Sequence, residues 1–185
     1  MSRTRISGLI RQLSAPRWKF WVTGNKRAKV ALELASIGTA AVPDLACSLA
    51  GPGAAYAVLA MKQIGKPAVT ACLRELNGPG AAYALLFFDR ETGTPVVKEL
   101  IEQFKGEGGA YASLALKNIG PPALKPLVEA LENPDESIRM WSALTLGEMG
   151  NWAEPAVPAL KRKTGKDKSE DVREAARIAL EKINS

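Results

Sequence analysis

One phrase returns along this chain roughly every 27 to 33 residues. It runs from an alanine-rich amphipathic stretch through Ile-Gly, or a close variant, into a stretch opened by proline. The anchors are Ile37-Gly38, Ile64-Gly65, Thr92-Gly93, Ile119-Gly120 and Met149-Gly150, and a weaker copy without the glycine ends at Ile183-Asn184. Self-similarity at this period specifies stacked supersecondary units that bury their apolar faces only against one another.

Each unit reads as two helices. Ala54-Ala-Tyr-Ala-Val-Leu-Ala-Met-Lys-Gln-Ile-Gly65 and Gly109-Ala-Tyr-Ala-Ser-Leu-Ala-Leu-Lys-Asn-Ile-Gly120 place apolar residues at helical spacing. The glycine falls where a left-handed residue ends a helix. Pro43, Pro67, Pro95 and Pro122 follow it, and proline in a first turn costs no hydrogen bond, so they mark the second helix. The expected core positions of that helix are Val42, Leu45 and Leu49; Val69, Leu73 and Leu76; Val97, Leu100 and Phe104; Leu124, Leu127 and Leu131. In unit five, Pro155 and Pro158 match once an insertion around Trp152 is allowed. The fold expected is all-α, a solenoid of five to six helical hairpins.

Residues 1–24 depart from the repeat. Ile6, Leu9, Ile10 and Leu13 form an apolar stripe, as in the second helix of a missing unit that caps the stack. The basic and aromatic linker Arg17-Trp-Lys-Phe-Trp21 follows it. The remainder, 25–185, divides at about 25–51, 52–78, 79–106, 107–133, 134–166 and 167–185 into one repeat domain. Unit three carries one extra residue in Leu85-Leu-Phe-Phe-Asp-Arg-Glu-Thr-Gly93, which predicts a distorted helix end.

The segments Ser137-Ile-Arg-Met-Trp-Ser-Ala-Leu-Thr-Leu-Gly-Glu-Met-Gly150 and Asp171-Val-Arg-Glu-Ala-Ala-Arg-Ile-Ala-Leu carry a family resemblance. Together with the repeat phrase they resemble HEAT repeats, in the short bacterial form also seen in phycobilisome lyases. The resemblance implies a right-handed superhelix, with the first helix of each pair convex and the second concave. It also implies an acid and a Val-Arg pair opening each repeat, their charges laddering between neighbours. Units two to four instead carry Tyr56, Tyr83 and Tyr111 near the start of the first helix, expected at equivalent, stacked positions.

Chemistry is sparsely provided for. The chain has no histidine, which removes the commonest general base and metal ligand. Its two cysteines, Cys47 and Cys72, cannot supply a zinc tetrad and read as reduced, mostly buried thiols of a cytoplasmic protein. No nucleotide-binding fingerprint occurs, and no cofactor or metal is expected. The longest apolar stretches are interrupted by charge or proline short of about 20 residues, so no transmembrane segment is expected.

The net charge of +6 is uneven: residues 1–29 hold eight basic side chains and no acid, while 30–158 are mildly acidic and 159–185 basic. The leading expectation is a non-catalytic scaffold gripping a protein or peptide on the concave face. Polar positions of the second helices nominate Arg74, Glu75, Glu99, Glu102, Gln103, Lys125 and Glu129 as its lining. The alternative is a binder of nucleic acid or an anionic surface through the basic arm, using Arg17, Trp18, Lys19 and Trp21. A second alternative, implied by the repeat class alone, is a phycobilin-lyase-like subunit. An incompletely capped solenoid end would also admit a homodimer.

Overall fold

The computed structural model describes residues 3–15, 24–75, 84, 87, 88, 90 and 94–185. They form two compact units, Met1–Phe87 and Phe88–Ser185. Among the described residues there is no β-strand. The all-α stack of hairpins expected from the repeat phrase is the architecture of each unit.

In the first unit, α1 (Arg3–Leu13) precedes two hairpins: α2 (Gly24–Ile37) with α3 (Val42–Cys47), and α4 (Ala54–Ile64) with α5 (Lys66–Glu75). The first helices, α2 and α4, pack side by side, as do the second helices, α3 and α5. Helix α1 lies against α2 and α3, where the second helix of a preceding hairpin would sit. Its Ile6, Leu9 and Leu13 are buried, while Arg3, Arg5, Ser7 and Arg11 face water. Arg27 Nη2 donates to the Ala15 carbonyl, and Arg5 Nη2 reaches Glu33 Oε1 at 2.5 Å, so α1 runs antiparallel to α2.

The second unit contains α6 (Val97–Glu102), α7 (Gly109–Ile119), α8 (Leu124–Ala130), α9 (Glu136–Glu148), α10 (Val157–Lys166) and α11 (Glu170–Asn184). The first helices α7, α9 and α11 form one layer, and α6, α8 and α10 supply the second helices. Helix α11 turns Glu170, Asp171, Glu174, Arg177 and Glu181 to solvent.

The anchor glycines act as the sequence requires. Gly38, Gly65, Gly120 and Gly150 have φ of +74°, +73°, +76° and +57°, a region L-residues avoid. The prolines open the second helices through 3₁₀ turns, at Thr94–Val96, Pro121–Ala123 and Gly150–Ala156, before the α-helix proper begins. Helix α5 starts directly after Gly65 instead.

The buried slot in each second helix is Leu45, Cys72, Leu100, Leu127 or Leu160, all fully buried. In the second hairpin this corrects the expected core set, because Val69 and Leu73 are only half-buried and Ala68 and Cys72 take the interior. The cysteine expectation is corrected too. Cys72 is buried, but Cys47 sits two positions past the core slot of α3 and is exposed.

The expectation about membrane spans needs amendment. The stretch Lys26–Ala50 is long and apolar enough by composition to cross a membrane. Here Gly38 at φ +74° breaks it into the hairpin of α2 and α3. Its Ala31, Leu34, Leu45 and Leu49 are fully buried within the unit, while 33% of the apolar window as a whole is buried.

The tyrosine positions are equivalent on their helices, since Tyr56 and Tyr111 are each the third residue of α4 and α7 and both are half-buried. Tyr83 lies outside the described residues, as does most of the irregular end of unit three.

Candidate functional site

Helices α3, α6, α8 and α10 bury their fourth-position leucines, and α5 buries its seventh residue, Cys72. Three grooves open beside these second helices. In the first unit, Val42, Pro43, Ala46 and Cys47 of α3 face Pro67, Thr70, Ala71 and Arg74 of α5 across about 360 Å³. In the second unit, Lys98, Ile101 and Glu102 of α6 face Pro126, Glu129, Ala130 and Asn133 across about 220 Å³. The third groove, about 440 Å³, lies between Leu124, Lys125, Val128 and Glu129 of α8 and Pro155 and Ala156 of the turn entering α10.

The leading wall of each groove uses the same helix positions (Val42, Pro43, Ala46 and Cys47 of α3; Lys98, Ile101 and Glu102 of α6; Leu124, Lys125, Val128 and Glu129 of α8), while the facing walls differ from groove to groove. Helix α10 runs alongside α8: Pro155 and Ala156 meet its start, and Lys163 Nζ meets Glu132 Oε2, just past its end, at 2.8 Å.

The nominated residues distribute unevenly over these grooves. Glu102 and Glu129 share the groove between α6 and α8, Lys125 and Glu129 share the next, and Arg74 lines the groove of the first unit. Glu99 is exposed outside the grooves, Gln103 is half-buried in the 3₁₀ turn after α6, and Glu75 has no described side chain. Arg17, Trp18, Lys19 and Trp21 lie outside the described residues.

The acids are held loosely. Glu102 pairs with exposed Lys105 at 2.5 Å, and Glu129 stands 4.0 Å from Lys125, itself 89% exposed. Such solvent-exposed pairs contribute little and yield readily to a better partner.

Sequence reasoning nominated only polar residues here and missed the apolar floor. Val128, Pro155 and Ala156 make the third groove apolar, but a pattern of apolar residues does not separate a groove wall from the core beside it. The reading also missed Leu32, Leu59 and Leu114, which are exposed on the first helices at 49%, 40% and 43%. Each stands six residues before its glycine. Leucines exposed singly are ordinary surface, and none of them lines the three grooves.

The arrangement of paired helices with shared register makes each unit a short α-solenoid. Residues 94–181 match the family model of HEAT repeats. Among solved structures, the chain is similar to a designed armadillo repeat protein in complex with the peptide (KR)4, at 18% identity over 97% of this chain and 99% of that one, TM-score 0.38. It is also similar to an engineered protein at 19% identity over 100% and 97%, TM-score 0.38. A third likeness is to computationally designed armadillo repeat proteins for modular peptide recognition, at 17% identity over 97% and 100%, TM-score 0.37. No curated protein matches the chain in sequence.

Proposed function

We propose that the chain is a non-catalytic scaffold that holds an extended peptide segment of a protein partner across the outward face of its second helices. The observation that carries this reading is the pair of adjacent grooves in the second unit, between α6 and α8 and between α8 and the turn entering α10, whose leading walls use the same helix positions as the groove beside α3 in the first unit. Regularly spaced grooves suit a ligand that is itself periodic, and an extended chain presents side chains at regular intervals. Loose ion pairs at the rims leave charged groups free to exchange partners.

The test is a photo-reactive amino acid placed at Val128, on the groove, or at Leu114, on a first helix. Each form of the full chain is irradiated in lysate of the native host, and the attached segment is mapped by mass spectrometry. Attachment of a defined linear segment at Val128, absent at Leu114, is expected. Attachment at Leu114 alone overturns the assignment of the face.

A second reading rests on the first unit. Helices α1 and α2 carry Arg3, Arg5, Arg11, Lys26, Arg27 and Lys29 against the single acid Glu33, which Arg5 already engages. Such a surface attracts polyanions, and phosphate-driven binding weakens steeply with salt. Titration of labelled single-stranded RNA and DNA at rising salt tests it; binding indifferent to salt, or none at low salt, removes it.

A further inference from the structure

Resting on that scaffold reading, we infer that the second unit recognises a linear peptide motif of mixed charge: a basic residue, then an apolar one, then an acidic one, spaced about three residues apart.

The charge pattern comes from one helix position. The sixth residue of α6 is Glu102, that of α8 is Glu129 and that of α10 is Arg162, so the sign is kept from α6 to α8 and reverses at α10. The fifth residues are Ile101, Val128 and Lys161, so α10 places a second cation where the others place aliphatic groups. Helix α10 contains Lys161, Arg162, Lys163 and Lys166 and no acid. Lys163 is engaged by Glu132 and Asp167, whereas Lys161 and Arg162 are exposed and have no acidic partner among the described residues.

The groove beside α8 has an apolar floor of Leu124, Val128, Pro155 and Ala156, with Lys125 and Glu129 also lining it. Its volume of about 440 Å³ has room for a leucine or an aromatic ring. The neighbouring groove of α6 and α8 is smaller and carries Glu102 and Glu129 against the single cation Lys98, with Asn133 at its end.

A peptide crossing these helices therefore meets Glu102 and Glu129, each in a solvent-exposed pair with a lysine that a ligand cation can displace, then a largely apolar slot, then Lys161 and Arg162, which have no acidic partner among the described residues. Packed helices lie about 8–10 Å apart, and an extended chain advances about 3.3 Å per residue, so successive grooves are about three residues apart along the ligand. Charge complementarity fixes the order relative to the helices, and either chain direction satisfies it. A uniformly basic or uniformly acidic segment meets like charge at one pole, which is how such a surface rejects it.

The experiment uses five synthetic nonapeptides in a serine background, each with a fluorescent label, titrated against the full chain by anisotropy. Two carry Lys, Leu and Glu at positions two, five and eight, in either order. The controls are Lys-Leu-Lys, Glu-Leu-Glu and Lys-Ser-Glu at the same positions. At least one opposite-charge peptide is expected to bind about tenfold or more tighter than every control. Arg162→Glu, checked for folding by its helical signal, is expected to shift the preference to Lys-Leu-Lys; Lys161→Glu, a neighbouring exposed site, gives an independent repeat.

Equal binding of uniform-charge peptides, or a ranking that neither reversal changes, overturns the motif. If none of the five binds, the motif also falls, and the photo-crosslink at Val128 then separates the two claims. Attachment there leaves the scaffold reading standing, and its absence removes both.

Discussion

Arg139 and Asp167, 28 residues apart in sequence, meet in a buried two-pronged ion pair, with Nε donating to Oδ2 at 2.9 Å and Nη2 to Oδ1 at 3.0 Å. Arg139 Nη1 also donates to the Asn133 and Pro134 carbonyls, and the Ser169 backbone N–H donates to Asp167 Oδ1 at 3.1 Å. The pair thus clamps the start of α9 to the loop that enters α11. Removing one partner strands the other charge in the interior, at a cost of about 3–5 kcal/mol. Arg139→Ala and Asp167→Ala are each expected to lose about that much in urea unfolding of the full chain. The double variant should lose less than the sum, because the second removal no longer orphans a charge.

The same pair makes acid stability predictable. Burial alone would push the Asp167 carboxyl up, but hydrogen bonds from Arg139 and the Ser169 backbone, with the Arg139 and Lys163 charges, outweigh it and hold it below the ordinary value. A carboxyl depressed in the folded state contributes stability that is present above its unfolded value, about 3.9, and is lost as pH falls through the folded one. Glu148, hydrogen-bonded by Lys182 and Lys117, and Glu170, by Arg173, are lowered in the same direction. Urea midpoints should therefore fall as pH drops below about 4. Asp167→Asn should start lower at neutral pH and fall less steeply, the remaining slope coming from the two glutamates. An unchanged slope would remove Asp167 from this account.

Two helix-interior glycines should respond oppositely to alanine. At Gly147 in α9 an added Cβ would stand 2.7 Å from Ala179 Cα, so α11 would have to move away. Overpacking of this kind costs about 1–3 kcal/mol. At Gly8 in α1 an added Cβ meets nothing within 4 Å, and alanine there gains about 0.5–1 kcal/mol of helix propensity. Thermal melts should place Gly147→Ala below the parent and Gly8→Ala above it. A stable Gly147→Ala would mean that α9 and α11 do not approach as closely as described.

The glycine and proline punctuation was legible because it answers to local backbone geometry, and Gly38, Gly65, Gly120 and Gly150 adopt the conformation it demands. The Arg139 pairing was half-legible. The resemblance implied a charge ladder, but the partner is Asp167 in the preceding loop and not the acid Asp171 that opens the last segment. The interior residue of α5 was not legible from the leucines: counted from the glycine, the buried slot is the seventh residue in α3, α5, α6 and α8 and the tenth in α10, after its three-residue insertion, and in α5 that residue is Cys72, while Leu73 beside it looked the better core residue. The grooves were hidden for a related reason: Leu127 and Val128 are adjacent aliphatics, and only the packing of α8 separates the buried one from the groove wall.

Buried hydroxyls in α9 give a contrasting pair. Thr145 Oγ1 lies 2.8 Å from Ser113 Oγ and 2.6 Å from the Trp141 carbonyl, whereas Ser142 Oγ is fully buried without a partner among the described residues. An unpartnered buried hydroxyl carries a desolvation cost with no return bond. Ser142→Ala should therefore be neutral or stabilising by up to about 1 kcal/mol. Thr145→Val should cost about 1 kcal/mol or more, because it also orphans Ser113. Urea denaturation separates the two, and a destabilised Ser142→Ala would show that the hydroxyl has a bonding partner.

The two thiols provide the cheapest check of the second-helix register. Cys47 is exposed on the wall of the groove between α3 and α5, and Cys72 is fully buried in the slot that other hairpins fill with leucine. A thiol reagent added to the folded chain should modify one cysteine at once. The second should react only as fast as the hairpin opens, since a buried thiol is reached through local or global unfolding. Peptide mapping should assign the fast site to Cys47, and Cys47→Ser should abolish the fast phase while leaving the slow one. Rapid labelling of both, or fast labelling at Cys72, would place α5 in the register that buries Val69 and Leu73 instead.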